Sequence, residues 1–570
     1  MTLRRLYLYL VSAVSLGLLA TGLALLGNTV LLFAFNDPSA QYSRTQLAGF
    51  TAMTAVALPV WAIHFWFARR YALRDPYERA SAIRRLYVYF ASLGSAIAAL
   101  IALSVTGGNL LRPLIDSCAS AGFAPLTLKG GPVFSSCPAS QNWEATSMAG
   151  WVAAVFLAIW AFHFWIAARD RAAVGEAGAS ATLRRWYMYI VLLVGLLVML
   201  SGASSLIQVL WLKAVNSPLA NNMYIGDAAG LFTAGLLVWG FHARTVGQNH
   251  VADDRHSTLR AVQGFIALAV SIAIAVFGAS QILYYALARA LGVDNPGGTG
   301  NNILGALASP ASLLVVYGTA WFLMRLRLAR DAEMQEGERQ ANIRRLYTNL
   351  ASLVSLGAWA IGTGGLLWTL AEQAEAPIIG VTAGDWKNPV SLWLTLLVVG
   401  AAVWLAHWRQ APWAADRQAL PRRLYVWAAL LASVLVALGA GVGMLAAVLR
   451  QVFSARPTLA DSANLDFGHY LAVLVVAAGV GFYHWRVLRA DSAARPPKAA
   501  QPAPAAVAVA AAAPVVVAAS EAADPHTRRY LLTVTDATED DVHQALATLP
   551  PHVAYKLTPA EHGTVPVDRR

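Results

Sequence analysis

Residues 83–111 read IRRLYVYFASLGSAIAALIALSVTGGNLL. Two arginines and a tyrosine open the stretch, and no charged residue follows from Leu86 to Leu111. A helix rises about 1.5 Å per residue, so about 20 apolar residues cross the roughly 30 Å of hydrocarbon in a bilayer. The run exceeds that length, and in lipid a single segment satisfies its own backbone only as a helix. The stretch therefore predicts a transmembrane helix whose cationic end lies at one headgroup layer.

The same argument applies along the chain. Comparable stretches fall near 6–35, 47–68, 148–168, 186–212, 228–243, 261–288, 303–324, 346–371, 390–408, 424–449 and 469–485, which makes about twelve transmembrane helices. The span ending at His242 is the shortest, because lengthening it takes in Asn221 to Asp227. Composition agrees: of 570 residues, 58% are hydrophobic and 13% charged, with a mean hydropathy of +0.53, against about 25% charge in soluble domains. The expected fold class is all-α, a polytopic integral membrane helical bundle. Two cysteines leave no thiolate cluster for zinc or iron–sulfur chemistry, and no metal site is expected. The formal charge of +12 is spread in short clusters between apolar runs. Such clusters point to membrane lipids with anionic headgroups, not to nucleic acid.

Arg4 and Arg5 precede an apolar run far longer than the core of a cleavable signal, so the first segment is expected to stay as a helix. With the amino terminus on side one, that side carries 29 of the 42 Lys and Arg and the opposite side 8, the rest lying in the tail. The positive-inside rule makes side one cytoplasmic, with both termini inside and the protein in the cell membrane.

The opening Arg-Arg-x-Tyr recurs. Its first arginines are Arg4, Arg84, Arg184, Arg344 and Arg422, with a decayed copy at Leu259-Arg260-Ala261-Val262. Each unit also closes alike, in Trp61-Ala-Ile-His64, Trp160-Ala-Phe-His163, Trp239-Gly-Phe-His242, Trp404-Leu-Ala-His407 and Gly481-Phe-Tyr-His484, while the fourth has Tyr317-Gly-Thr-Ala320. Six two-helix repeats result, at 1–80, 81–180, 181–256, 257–340, 341–418 and 419–492. Since each begins and ends on one side, they are parallel copies, unlike the inverted repeats of many transporters.

Leu58-Pro59-Val60-Trp61, His64, Trp66, Asp75-Pro76, Glu78-Arg79 and Ser81 through Tyr87 resemble the tandem motifs of an uncharacterised bacterial integral-membrane family, classed as a domain of unknown function. The likeness spans roughly residues 3–490, and it implies a multi-pass architecture without supplying an activity.

Several residues are candidates for function. Arg4, Arg5, Arg84, Arg85, Arg184, Arg185, Arg344, Arg345, Arg422 and Arg423 sit at helix amino ends. There the helix dipole opposes them by about 1 kcal/mol or less, while an anionic leaflet attracts each by about 1 kcal/mol. They are read as headgroup anchors. His64, His163, His242, His407 and His484 are the one titratable group repeated in the apolar regions. An intramembrane ionisable group marks function by default. Haem b ligation between facing helices is one reading, and a neutral histidine bonded to a neighbouring helix or headgroup is the other, so no cofactor is expected outside the haem alternative. Asn28, Asn109 and Gln208 recur at offsets of 24 to 25 from the first arginine and would line a channel or uncoupled carrier, or simply bond neighbouring helices. No carboxylate falls at depth, against a coupled transporter. Gly439 and Gly443 fit close helix approach.

Asp75-Pro76-Tyr77-Glu78 carries helix-start chemistry, so the second repeat's first helix is expected to run from Pro76 through Arg85; Asp331 and Asp253 or Asp254 would cap similar starts. Cys118 and Cys137 share the longest outer loop and could form a disulfide there. Residues 493–525 have a Pro/Ala linker composition, including an apolar run at 505–519 too short to cross, and 526–570 read as strand, helix, strand. That cytoplasmic βαβ-like tail is expected to dock on a protein partner or a second copy. No phosphate-binding loop, nucleophile elbow or HExxH motif appears, so the chain reads as a non-enzymatic membrane scaffold or assembly protein.

Overall fold

The computed structural model describes residues 2–115, 139–222, 224–248, 257–294, 296, 302–332, 338–380, 382–408, 417–453 and 465–494. The chain divides into two units, Met1–Pro496 and Pro497–Arg570, and every described residue belongs to the first. Cys118, Cys137, Asp253, Asp254 and the strand–helix–strand expectation for 526–570 therefore lie outside the described residues, among which there is no strand.

The helices are α1 (Thr2–Ala34), α2 (Arg44–Arg74), α3 (Pro76–Ala80), α4 (Ala82–Ile115), α5 (Ala139–Val174), α6 (Gly178–Ala214), α7 (Ile225–Gln248), α8 (Thr258–Ala290), α9 (Ile303–Ala332), α10 (Glu338–Ile379), α11 (Lys387–Trp408), α12 (Leu420–Phe453) and α13 (Leu465–Ala493). Among the described residues eleven helices are long and apolar enough to cross a membrane, not the twelve expected from the sequence. The exception is α7, 24 residues long, which carries Asp227 in its first turn and five glycines. Those glycines have a packing reason. A Cβ on Gly230 would stand 2.1 Å from the Gly108 nitrogen of α4, and one on Gly235 would stand 2.4 Å from the Met199 nitrogen of α6. Lipid offers no hydrophobic drive to helix association, so backbone-to-backbone approach through small residues holds α7 in place. The same test divides the pair marked in α12: a Cβ on Gly443 would meet the Tyr470 ring at 2.4 Å, whereas Gly439 faces open space and serves no close approach.

The contacts follow the repeat. Helices pair within a unit as α1–α2, α4–α5, α6–α7, α8–α9, α10–α11 and α12–α13. The first helices of successive units, α1, α4, α6, α8, α10 and α12, form a continuous row of neighbours. Each second helix also packs on the first helix of the preceding unit, as α5 does on α1 and α7 on α4. Three first helices end in the same turn. Asn36, Asn216 and Gly292 take φ of 55°, 48° and 76°, with the 5→2 and 6→1 bonds of a Schellman cap, as in Asn36 to Phe33 at 3.2 Å and Asp37 to Leu32 at 3.0 Å.

The connector between the first two units departs from expectation. Asp75 does cap the start, accepting the Tyr77 N–H at 2.9 Å, but the helix stops at Ala80 because Ser81 turns extended at φ −55° and ψ 131°. A separate helix begins at Ala82. This break turns Glu78 away from a capping role and toward the end of α1, with consequences for the arginines there.

Candidate functional site

The repeated motifs meet at the arginine-bearing helix ends. Each histidine Nδ1 lies 2.8 Å from the carbonyl four residues earlier: Val60, Ile159, Val238, Val403 and Val480. A carbonyl only accepts, so Nδ1 carries the proton and Nε2 is a bare acceptor, a tautomer assigned from the bonding pattern. In every case Nε2 faces the tyrosine of its own unit's Arg-Arg-x-Tyr. The pairs are Tyr7–His64 at 3.2 Å, Tyr87–His163 at 3.2 Å, Tyr187–His242 at 2.8 Å, Tyr347–His407 at 3.3 Å and Tyr425–His484 at 2.9 Å.

Three of these tyrosines accept a further bond across the repeat boundary. Trp61 Nε1 donates to the Tyr87 hydroxyl at 3.0 Å, Trp160 to Tyr187 at 2.8 Å, and Trp404 to Tyr425 at 2.9 Å. The tryptophan of one unit is thus tied through the next unit's tyrosine to that unit's histidine. Burial tracks this relay. Tyr87, Tyr187 and Tyr425 are 4%, 2% and 2% exposed, while Tyr7, which receives no tryptophan bond among the described residues, is 58% exposed. His163, His242 and His484 are buried, and His64 and His407 only half-buried.

The fourth unit has lost all the parts together. Gln263 stands at the tyrosine position, Ala320 at the histidine and Tyr317 at the tryptophan. Gln263 is buried, with no partner for its Oε1. Trp239 packs there among Leu196, Leu200 and Tyr317.

The arginines expected to meet headgroups divide. Arg84 is 3% exposed, donating to Asp170 at 2.7 Å and to the Tyr9 hydroxyl at 3.1 Å. Arg85 is fully buried, 3.7 Å from Glu176 and bonded to the Ala167 and Gly175 carbonyls. Arg422 is buried against Asp491 at 2.8 Å. For these three the headgroup role gives way to ion pairing within the chain, because a buried cation must find an internal counter-charge. Arg4 and Arg5 both bond Glu78 at 2.7 Å, and Arg184 lies 3.6 Å from Glu176. Burial alone would raise the Glu78 carboxyl; the Arg5 and Arg4 guanidiniums outweigh it and hold it below its ordinary 4.5. Arg344 and Arg423 are exposed, and Arg185 and Arg345 half-buried, with Arg345 bonded to Asn342 at 3.0 Å. In the fourth unit Asp331 binds Arg260 through two bonds of 3.0 Å, in place of the capping role expected of it.

Sequence reasoning missed these carboxylates. One signal was present: Asp170 and Asp491 each follow their histidine by seven residues. At the equivalent place in the first unit stands Tyr71, and Arg4 stacks over its ring at 4.2 Å.

A second layer faces outward. Trp66, Trp165 and Trp485 are 52%, 45% and 45% exposed, and the arginine one turn later covers each ring: Arg70 at 5.1 Å, Arg169 at 4.6 Å and Arg489 at 4.5 Å. Amphipathic rings and snorkelling cations at one level are the chemistry of a membrane interface. Asn28, Asn109 and Gln208 fall on neighbouring helices α1, α4 and α6, with Asn109 buried and the other two half-buried.

Four successive segments, residues 5–134, 132–236, 265–356 and 345–468, match the family model described as Domain of unknown function (DUF5671). The matched segments are longer than the two-helix unit: the first takes in α2 and α4 whole, with most of α1. No curated protein and no solved structure matches the chain.

Proposed function

We propose that this chain, which belongs to the DUF5671 family over most of its length, works as a non-enzymatic membrane scaffold of six parallel two-helix units. On this reading all twelve long helices cross the cell membrane, α7 included, with the arginine-bearing ends and both termini in the cytoplasm. Residues 526–570 then form a docking segment for a protein partner or a second copy.

One observation carries the reading. In all five units that have the histidine, both ring nitrogens are engaged inside the protein, Nδ1 by its own helix and Nε2 by a tyrosine. A haem iron or another metal binds through an imidazole lone pair, and the available one on Nε2 is the acceptor for tyrosine. The geometry favours a histidine that ties together the two helices of its own unit, with the tryptophan bonds joining one repeat to the next.

The visible spectrum and metal content of protein purified after haem-replete expression test this. The expected result is no Soret band and no stoichiometric metal; either one would overturn the reading. Reporter fusions at residues 118 and 87 should report opposite compartments.

A further inference from the structure

Helices α2 and α5 both pack on α1, and between their arginine-side ends lies a cavity of about 450 Å³. That volume falls within the range of about 300–1,000 Å³ typical of small-ligand sites. Its walls carry four arginines, Arg69, Arg79, Arg84 and Arg169, with Trp165 and a single carboxylate, Asp170. Asp170 is shared between Arg84 at 2.7 Å and Arg79 at 3.7 Å. Arg69 and Arg169 have no carboxylate partner among the described residues; they approach the Trp165 ring at 5.9 Å and 4.6 Å.

The charge balance is unequal. Four guanidiniums against one carboxylate leave three positive charges facing a partly open cavity, whereas the buried arginines elsewhere are matched to acids. A guanidinium presents a planar fork that fits phosphate oxygens through two parallel bonds, and like cations crowded around a cavity repel one another unless an anion sits among them. The half-exposed Trp165 lies in the outward-facing aromatic layer, at the level of headgroups.

We propose that this cavity is a phosphate site that takes the headgroup of an anionic phospholipid, with Arg69 and Arg169 supplying the uncommitted guanidiniums. Arg79 and Arg84, held by Asp170, form its inner wall. The proposal rests on the membrane reading above and deepens it: the headgroup interaction expected of the Arg-Arg-x-Tyr pairs moves to a built site between the first two repeats.

The test uses the full-length chain in nanodiscs of phosphatidylcholine alone and of phosphatidylcholine with a minority of phosphatidylglycerol. Native mass spectrometry reads retained lipid and thermal unfolding reads stabilisation. Wild type should retain phosphatidylglycerol and unfold at a higher temperature in its presence. R69Q/R169Q should lose about tenfold or more in retention, as expected for removal of charge-assisted bonds. R489Q, which removes a Trp–Arg pair outside this cavity, should keep it. Should the double variant not purify as a single species, R169Q alone, at an exposed position, takes its place. A separate arm adds inorganic phosphate to detergent-solubilised protein. Stabilisation there that matches the lipid effect and depends on Arg69 and Arg169 would identify a soluble anion as the occupant and overturn the lipid assignment. Equal retention by wild type and R69Q/R169Q, or equal loss in R489Q, would overturn the site itself. Recovery of the wild-type chain without detergent or lipid would instead overturn the membrane reading.

Discussion

Replacing Tyr187 by Phe isolates the bond that ties one repeat to the next. The ring is 2% exposed. Its hydroxyl accepts from Trp160 Nε1 at 2.8 Å and donates to His242 Nε2 at 2.8 Å, so deleting one oxygen removes two interhelical bonds while keeping the packing. Bonds of this kind in a bilayer protein average about 0.6 kcal/mol, so two are worth about 1.2 kcal/mol. An indole N–H and an imidazole nitrogen are left buried without a partner, and each such group costs about 1–3 kcal/mol. Y187F should therefore lose about 2–4 kcal/mol. Y7F is the control: Tyr7 is 58% exposed with one bond of 3.2 Å and no tryptophan donor, and its loss should stay below about 0.6 kcal/mol. Both are read by equilibrium unfolding of the full chain in mixed micelles. The double variant W160F/Y187F should cost less than the sum of its parts, since the two share a bond. Equal losses for Y187F and Y7F, or a neutral Y187F, would refute the relay as a stabilising device.

Four further predictions probe the other forces. G230L drives a side chain into the α4 backbone, 2.1 Å from the Gly108 nitrogen, and should abolish cooperative unfolding of the α4–α7 pair, whereas G439L, facing open space, should leave the unfolding midpoint unchanged. R84Q leaves buried Asp170 with only the longer 3.7 Å approach of Arg79 and should cost about 3 kcal/mol by the same unfolding assay, with D170N recovering part of it. Glu78 has a folded pKa held below 4.5, so the stability from its arginine pairing is present above 4.5 and is lost as the pH falls through the depressed value. E78Q should accordingly be less stable than wild type at pH 7, and the gap between their midpoints should close in acid. Q263Y/A320H rebuilds the relay in the fourth unit, where Trp239 is already present, and should gain about 1 kcal/mol by two restored bonds, measured in the same micelles.

Lipid as solvent made most of the fold legible. Helix length, the arginine-marked starts and the two-helix period all follow from needing a satisfied backbone across a fixed thickness. What the sequence concealed is contact that two distant segments share. Trp61 and Tyr87 each look like members of an aromatic belt, and only the folded chain shows that Trp61 of α2 and Tyr87 of α4 bond one another beside His163 of α5. Asp75-Pro76 announced a helix start correctly, yet nothing local indicated that Ser81 would break the helix and send Glu78 to Arg4 and Arg5. Counting arginines by side gave an orientation, but a count cannot separate Arg423, which is exposed, from Arg422, which Asp491 holds. The weak sixth span was a similar case. Its glycines lowered the apolar signal for the very reason that they let α7 touch two backbones.

The way the motif fails is the best argument that it acts as one piece. A tyrosine hydroxyl buried without its histidine, or an indole without its tyrosine, would carry an unsatisfied group, so partial loss costs more than complete loss. The fourth unit lacks tyrosine, histidine and tryptophan at once. The fifth keeps Tyr347 and His407 without a tryptophan from the unit before it, and there the pair is half-buried and its bond the longest, at 3.3 Å. The sixth has Gly481 where the tryptophan would stand, and a Cβ there would already meet Ser433 Oγ at 2.9 Å. An indole at that position would run into Ser433. Across unit boundaries the match is looser: Trp239 is kept although the next unit offers Gln263 in place of a tyrosine, and Tyr347 is kept although the unit before it offers Tyr317 in place of a tryptophan. Within a unit, by contrast, tyrosine and histidine are kept together in five units and lost together in the fourth, as the bond between them requires.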